Sequence, residues 1–166
     1  EASLKYYRKA LQIKPDFPDA YNNMGIILYE QGKLDQAIAN YQKAILIEPD
    51  FADAYFNLGN AFKQKGDLIK AVQNYQKSLL IQPDDAEVLL NYGHALSGDG
   101  QFEKAIEAYQ RALQLQPELV DAQISLAKAL TRKIHGENSE GESLDGAGPE
   151  INAAEYHNSM GVELAD

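Results

Sequence analysis

Residues 18–51 read PDAYNNMGIILYEQGKLDQAIANYQKAILIEPDF, and the pattern of this stretch returns in residues 52–85 and 86–119. Four prolines repeat at the same interval of 34 residues: Pro15, Pro49, Pro83 and Pro117. A constant interval of this length is typical of repeat proteins, in which each unit packs mainly on its neighbours. The chain is therefore organised as a series of similar units, one after another.

Other positions of the unit also keep one kind of residue. Within each unit, apolar residues recur at spacings of three and four, which predicts two helices. Gly32 separates the two helices of the first unit, and Pro49 ends the second because it lacks a backbone N–H. We expect a small residue where two helix axes approach closely, with a tyrosine ring filling the adjacent space. The small, alanine and tyrosine columns are Gly25, Gly59, Gly93 and Ala127; Ala37, Ala71 and Ala105; and Tyr7, Tyr41, Tyr75 and Tyr109.

The period, the helix pair and these columns resemble tetratricopeptide (TPR) repeats, and the resemblance covers residues 1–134. It implies an all-α fold, a right-handed superhelical solenoid built of antiparallel helix pairs. The expected units are the second helix of a partial repeat at the start, complete repeats at 18–51, 52–85 and 86–119, and the first helix of a fourth repeat from 120.

The pattern changes after residue 134. Residues 135–149 are rich in glycine and acidic side chains, which predicts a flexible linker. Residues 150–166 regain apolar periodicity, and 158–161 echo 22–25, so this segment resembles the first helix of a further TPR. A coincidental amphipathic helix is the alternative. We expect this helix to cover the open flank of the helix at 121–134, in the same molecule or in a second one.

The charge of the chain restricts its partners. The 166 residues include 25 Asp and Glu against 15 Lys and Arg, a formal net charge of −10. Residues 134–166 contain no Lys or Arg, so most of this charge lies outside the repeats. A nucleic-acid partner is not expected, because binding phosphates needs clustered positive charge. Within the nearly neutral repeats, we expect amide and apolar contacts to count for more than long-range attraction.

Location and chemistry are constrained by what the sequence contains. It has no cysteine and no apolar run long enough to cross a membrane, and it lacks a signal-peptide pattern. We expect a cytoplasmic protein without a membrane partner. His94, His135 and His157 have no partner at metal-ligand spacing, so neither a metal site, a cofactor nor enzymatic activity is predicted.

Binding is the function that the repeats favour. On each first helix, six positions face away from the packing columns, and the TPR resemblance implies that they line a concave groove. Asn23, Asn57 and Asn91 form a predicted ladder of amides for an extended peptide backbone. Phe56 and its equivalents form a predicted apolar stripe. The candidate peptide-binding residues are Asn22, Asn23, Ile26, Phe56, Asn57, Asn60, Leu90, Asn91, His94, Ile124 and Lys128.

The same residues also fit other interpretations of this face. The asparagines also suit a solvated helix surface, and Phe56 also suits a position packed against the next repeat. Some TPR adaptors clamp a terminal carboxylate with basic residues, but here Asp121 and Ser125 stand at two of those positions. The missing basic residues disfavour a carboxylate clamp.

The amide ladder and residues 14–21 are similar to the TPR arrays that precede the catalytic domain of O-linked N-acetylglucosamine transferases. That resemblance implies the capture of an extended partner segment. The sequence thus predicts a protein-interaction module that binds a protein or peptide. The alternatives are a structural spacer or self-assembly unit that associates through its terminal helices, and a substrate-recruiting region of a larger enzyme.

Overall fold

The computed structural model describes the backbone of residues 2–141 and the side chains of residues 4–134. All regular structure in this part of the chain is helical, which confirms the all-α solenoid. The helices are α1 (Ala2–Ile13), α2 (Pro18–Glu30), α3 (Leu34–Ile47), α4 (Ala52–Gln64), α5 (Leu68–Ile81), α6 (Ala86–Gly98), α7 (Phe102–Leu115) and α8 (Val120–Gly141). The expected helix at 150–166 lies outside the described residues.

The helices pack as pairs that stack on one another. Helices α2 and α3, α4 and α5, and α6 and α7 form the three complete repeats, and α3 and α5 each contact the first helix of the next repeat. The buried side chains form two apolar clusters, one from α1 to α4 and one from α5 to α8, and Phe62 packs against both. Each repeat therefore buries its apolar face on its neighbours rather than in one central core.

The close approach within each pair depends on a glycine beneath a tyrosine ring. A Cβ atom added to Gly59 would lie 2.7 Å from Cε1 of Tyr75, which is closer than real contacts allow. Tyr75 itself is fully buried. Gly25 and Gly93 have the same relation to Tyr41 and Tyr109, with distances of 2.4 and 2.5 Å. The predicted packing role of the glycine and tyrosine columns is confirmed.

The turn between the paired helices depends on a second glycine column. Gly32, Gly66 and Gly100 have φ values of 72°, 82° and 80°, in the left-handed region that costs other residues about 1–2 kcal/mol. The next residue in this column is Ile134, a β-branched residue for which that conformation is especially unfavourable.

The missing turn glycine explains why α8 does not end at residue 134. Helix α8 continues to Gly141, through the first part of the segment 135–149 that was expected to be a linker. That expectation is corrected for residues 135–141, because nothing at position 134 favours the turn that ends the other first helices. Residues 142–149 lie outside the described part of the chain.

Candidate binding groove

The candidate residues lie on α2, α4, α6 and α8, but they differ in exposure. Ile124 and Lys128 of α8 are exposed, whereas Asn22 and Leu90 are buried, with 6% and 8% of their surface accessible. The others are partly buried: Asn23, Ile26, Phe56, Asn57, Asn60, Asn91 and His94. Neighbouring repeats therefore determine how much of each candidate residue remains accessible.

The amides do not form a uniform ladder. Asn57 donates from Nδ2 to Oδ1 of Asn22 at 3.0 Å, so these two amides join adjacent repeats. Asn91 donates to the backbone carbonyl of Glu87 and accepts a hydrogen bond from Nζ of Lys63. The side-chain carbonyl oxygen of Asn91 is therefore already occupied by a lysine from the preceding repeat.

The apolar stripe is also interrupted. Leu90 belongs to the buried cluster of α5 to α8 and is unavailable as part of a groove floor. Phe56 packs partly against the same cluster, with its ring centroid 6.0 Å from that of Tyr75. Ile124 is 47% exposed. A continuous exposed stripe is therefore wrong, since α6 packs this position inside the solenoid.

A first depression, here called the acidic cleft, opens between α2, α3, α4 and the start of α6. Its volume is about 280 Å³, and its charged lining residues are both glutamates. Burial raises the pKa of the Tyr41 hydroxyl, and the nearby Tyr29 and Glu30 raise it further. The cleft thus disfavours added negative charge. Its lining consists of Ile26, Tyr29, Glu30, Tyr41, Phe56, Asn57, Asn60 and Glu87.

A second depression, here called the basic cleft, opens between α6, α7 and α8. Its volume is about 300 Å³, and no Asp or Glu is among its lining residues. His94 Nε2 and Ser125 Oγ are 2.9 Å apart, and the His94 ring lies 5.6 Å from the ring of Tyr109. The cleft is lined by His94, Ser97, Gly98, Tyr109, Ser125, Lys128 and Arg132.

Burial affects the pKa values of both His94 and Lys63, and nearby charges also act on His94. Burial lowers the pKa of His94, Lys63 and Lys128 lower it further, and Asp121 acts in the opposite direction. Burial also lowers the pKa of the Lys63 amine. Both effects favour the neutral form of the group concerned.

Sequence reasoning missed the contribution of the second helices. Tyr41 of α3 lines the acidic cleft and Tyr109 of α7 lines the basic cleft, although the tyrosine column was assigned only to packing. The Tyr75 hydroxyl likewise donates to Oδ1 of Asn60 at 2.6 Å. The rings of these tyrosines are buried against the glycines of the first helices, and the Tyr75 hydroxyl reaches the first-helix side chain of Asn60. The constant spacing between the glycine column and the tyrosine column could have predicted this arrangement from the sequence.

A larger cavity of about 570 Å³ lies away from the candidate residues, between α4 and the outer side of α5. It is lined by Tyr55, Gln73, Asn74, Gln76, Lys77 and Leu80, none of which was predicted to bind a ligand. Most of these are surface side chains of one helix. In the described part of the chain, no cluster of His, Asp or Glu is arranged to hold a metal ion, and no helix is long and apolar enough to span a membrane.

Comparisons with known families agree with this architecture. Matches to families described as "TPR repeat" cover residues 1–32 and 27–66, and matches described as "Tetratricopeptide repeat" cover 50–118 and 90–154. The chain belongs to the tetratricopeptide repeat family. No curated protein matches the sequence.

Solved structures of other TPR proteins are similar in fold. MamA has a TM-score of 0.74 at 24% identity, with 78% of this chain and 76% of MamA covered. YrrB, described as a TPR protein with an unusual peptide-binding site, has a TM-score of 0.72 at 24% identity, with 76% and 66% covered. The first TPR of Spaghetti (RPAP3), bound to the HSP90 peptide SRMEEVD, has a TM-score of 0.69 at 21% identity, with 70% and 93% covered.

Proposed function

We propose that this chain is a protein-interaction module that binds an extended peptide segment along the face formed by α2, α4, α6 and α8. The observation that carries the proposal is the pair of clefts on this face, which combine aromatic rings with amide, hydroxyl and charged groups. Such a mixture provides hydrogen bonds for a peptide backbone and apolar contacts for its side chains. The HSP90 peptide bound to the first TPR of Spaghetti (RPAP3) and the peptide-binding site described for YrrB support the same function.

Two amides retain hydrogen-bonding capacity for a peptide. Within the described residues, Asn23 has no side-chain hydrogen bond, and Asn57 uses only its Nδ2 group, toward Asn22. The Asn57 side chain also lines the acidic cleft. An extended peptide presents backbone donors and acceptors at regular intervals, which amide side chains satisfy without reading the peptide's sequence. We expect affinities of about micromolar, near −8 kcal/mol.

Selection from a displayed library of random peptides of about 12 residues tests the proposal, since an extended segment of that length spans about 40 Å. Selected peptides are then measured by fluorescence anisotropy against a variant carrying Asn23→Ala and Asn57→Ala. We expect this variant to bind about ten-fold or more weakly, because two backbone hydrogen bonds are lost. If the selected peptides bind the variant as tightly as the native chain, the binding site lies elsewhere on the molecule.

A matched control uses two asparagines on second helices. Asn40 and Asn74 donate to backbone carbonyls of their own helices, at 2.8 and 2.7 Å, away from the proposed face. The variant with Asn40→Ala and Asn74→Ala should bind like the native chain. Equal weakening in both variants, or the failure of the native chain to select any peptide, would refute binding in the groove.

Self-association is a second candidate function, favoured by one observation. Helix α8 exposes Val120, Ile124 and Leu130, with 60%, 47% and 43% of their surfaces accessible. In a solenoid, an apolar flank of this kind is normally covered by the next unit. Light scattering over a range of concentrations tests it, because self-assembly requires a mass that rises with concentration.

Other expectations from the sequence stay predictions. They are a cytoplasmic location, the absence of nucleic-acid and membrane partners, and recruitment of substrate for a larger enzyme such as an O-linked N-acetylglucosamine transferase. TPR proteins generally act as non-enzymatic scaffolds, in agreement with the expectation of no catalysis by these repeats. The proposed peptide binding is compatible with each of these settings, because it needs only the groove.

A further inference from the structure

The two clefts carry opposite charge, although the repeats as a whole are nearly neutral. In the acidic cleft, Glu30 and Glu87 are the charged lining residues. In the basic cleft, the fully charged lining residues are Lys128 and Arg132. A peptide that occupies both clefts therefore meets a negative environment at one and a positive environment at the other, which net charge alone does not reveal.

The cations of the basic cleft are available to a ligand. Lys128 and Arg132 are four residues apart on α8, so their side chains lie on the same side of the helix. Both are exposed, and among the described residues neither forms an ion pair. The described ion pairs of other basic side chains join Lys65 to Asp35, Lys70 to Asp67, Arg111 to Asp84 and Lys133 to Glu103.

Neutral polar groups in the same cleft add short-range hydrogen bonds. The Ser125 hydroxyl lies beside His94 Nε2 at 2.9 Å, and the hydroxyls of Ser97 and Tyr109 also belong to the lining of this cleft. Hydroxyl groups reorient to donate toward an incoming acceptor. A carboxylate has acceptor oxygens only, so it suits a cleft that offers hydroxyl donors next to two cations.

The electrostatic effects on neighbouring groups agree with a positive cleft. Burial is the main cause of the lowered pKa of His94, and Lys63 and Lys128 lower it further; burial raises the pKa of Tyr109, and Arg132 acts against that effect. Asp121 is the acidic group that acts on His94 in the opposite direction. It precedes the lining residues of α8 by one turn and is not part of the lining. More cations than anions therefore act on this site.

We propose that the basic cleft binds acidic side chains of the extended peptide, with Lys128 and Arg132 contacting Asp or Glu carboxylates while the opposite part of the peptide lies in the acidic cleft. This inference rests on the proposed function and adds to it the composition and polarity of the ligand. The ligand is a segment with an acidic run on one side and neutral or basic residues on the other. The two cations that contact this ligand, Lys128 and Arg132, stand at positions other than the basic positions of a terminal carboxylate clamp.

The test uses fluorescein-labelled peptides of about 12 residues, which extend over about 40 Å, blocked at the N-terminus and amidated at the C-terminus. One peptide has an acidic half with four Glu residues and a half with Lys and Tyr. The second replaces every Glu by Gln. A third has the composition of the first, with its charges scrambled. We expect anisotropy to give affinities for the first peptide about ten-fold or more above those for the other two.

A charge reversal at the cleft provides the second measurement. The variant Lys128→Glu with Arg132→Glu should lose about ten-fold or more in affinity for the acidic-block peptide and gain affinity for a peptide with Lys in place of Glu. The control variant Lys9→Glu with Lys77→Glu changes the net charge equally at exposed positions of α1 and α5. It should stay within about two-fold of the native chain. Circular dichroism and urea midpoints establish that all variants fold.

Three results would overturn the inference. Equal affinity for the Glu and Gln peptides would show that the cleft does not read carboxylates, and equal losses in both reversal variants would show a net-charge effect. Binding that appears only when the peptide has a free C-terminal carboxylate would assign the site to a chain end instead of acidic side chains. If library peptides still depend on Asn23 and Asn57 in any of these cases, peptide binding stands and only the charge assignment fails.

Discussion

The three complete repeats and α8 have the same first-helix pattern but different surroundings. In each complete repeat, a glycine such as Gly59 lies beneath the ring of a tyrosine from the paired helix. In α8, Ala127 stands at the equivalent position and is exposed, and no paired helix follows among the described residues. A first helix can therefore form without a paired second helix, but the small-residue position is buried only where the paired helix is present.

The turn at the end of the first helix also differs between the complete repeats and α8. Gly66 and its equivalents have positive φ and end the first helices, whereas α8 passes through Ile134 and continues to Gly141. A first helix therefore forms from its own sequence and its contact with the preceding repeat. Its partner helix adds two special requirements, a small residue at the crossing and a glycine at the turn.

The largest expected effect comes from removing the ring that distinguishes the two regions. Tyr75→Ala leaves a cavity at a fully buried site and removes the hydrogen bond to Asn60, so we expect a loss of about 3–5 kcal/mol in the free energy of unfolding. Urea unfolding followed by circular dichroism measures it. Tyr6→Ala, at a side chain that is 75% exposed, should change stability by less than about 0.5 kcal/mol. Similar losses in both variants would contradict the packing role.

A smaller effect is expected at the glycine. Gly59→Ala places a Cβ atom 2.7 Å from the buried Tyr75 ring, and we expect the clash to cost about 1–3 kcal/mol despite the better helix propensity of alanine. At the equivalent exposed position, Ala127→Leu should stay within about 0.5 kcal/mol. Unfolding curves of the two variants measure the contrast between a closed and an open repeat.

A control for the Gly59→Ala prediction uses a chain in which the Tyr75 ring has also been removed. In a Tyr75→Ala background the clash is absent, so Gly59→Ala should stabilise the chain by up to about 1 kcal/mol through helix propensity. A double-mutant cycle reports this change of sign. If Gly59→Ala destabilises equally with and without the ring, then the glycine has another role.

The smallest effect concerns the junction between the third repeat and α8. The folded-state pKa of His94 is lowered from 6.5 by burial, Lys63 and Lys128, with Asp121 opposing. The unfolded chain therefore binds the proton more readily, so this contribution to stability is complete above about pH 6.5 and is lost as pH falls through the lowered pKa.

The pH prediction is measured with urea midpoints at about pH 7.5 and about pH 5.5, values on either side of the histidine's ordinary pKa. The native chain should lose more stability on acidification than the variant His94→Asn, which lacks the titrating ring. The two proteins contain the same carboxylates, so the difference between their pH dependences reports on His94 and its interactions. Identical pH dependence of the two proteins would show that protonation of this ring leaves the junction unaffected.

Much of the fold could be predicted from the sequence because each repeat encodes its own helices. The columns around Gly59, Ala71 and Tyr75 predicted both the helix pair and its crossing. The segment after residue 134 was less predictable, since the general glycine content of 135–149 indicated a linker. The local turn signal, a glycine at position 134, was absent, and α8 accordingly continued.

The candidate groove was predicted only in part. Spacing along α4 placed Phe56, Asn57 and Asn60 together, and all three line the acidic cleft. Spacing along α6 did not reveal that Leu90 is buried or that Asn91 is bound by Lys63 of the preceding repeat. Those outcomes depend on how far one repeat reaches over the next, which helical periodicity does not contain.

By itself, the sequence determined the class of this protein, the period of its repeats and the face of each helix that packs. These properties follow from short-range rules of helix geometry, applied in a unit that recurs every 34 residues. Only the tertiary structure decided which amides remain available and how charge is arranged. Glu30 and Glu87 reach one cleft from different repeats, and Lys128 joins His94 at the other. Side chains far apart in sequence become one site only when stacked helices bring them within contact distance.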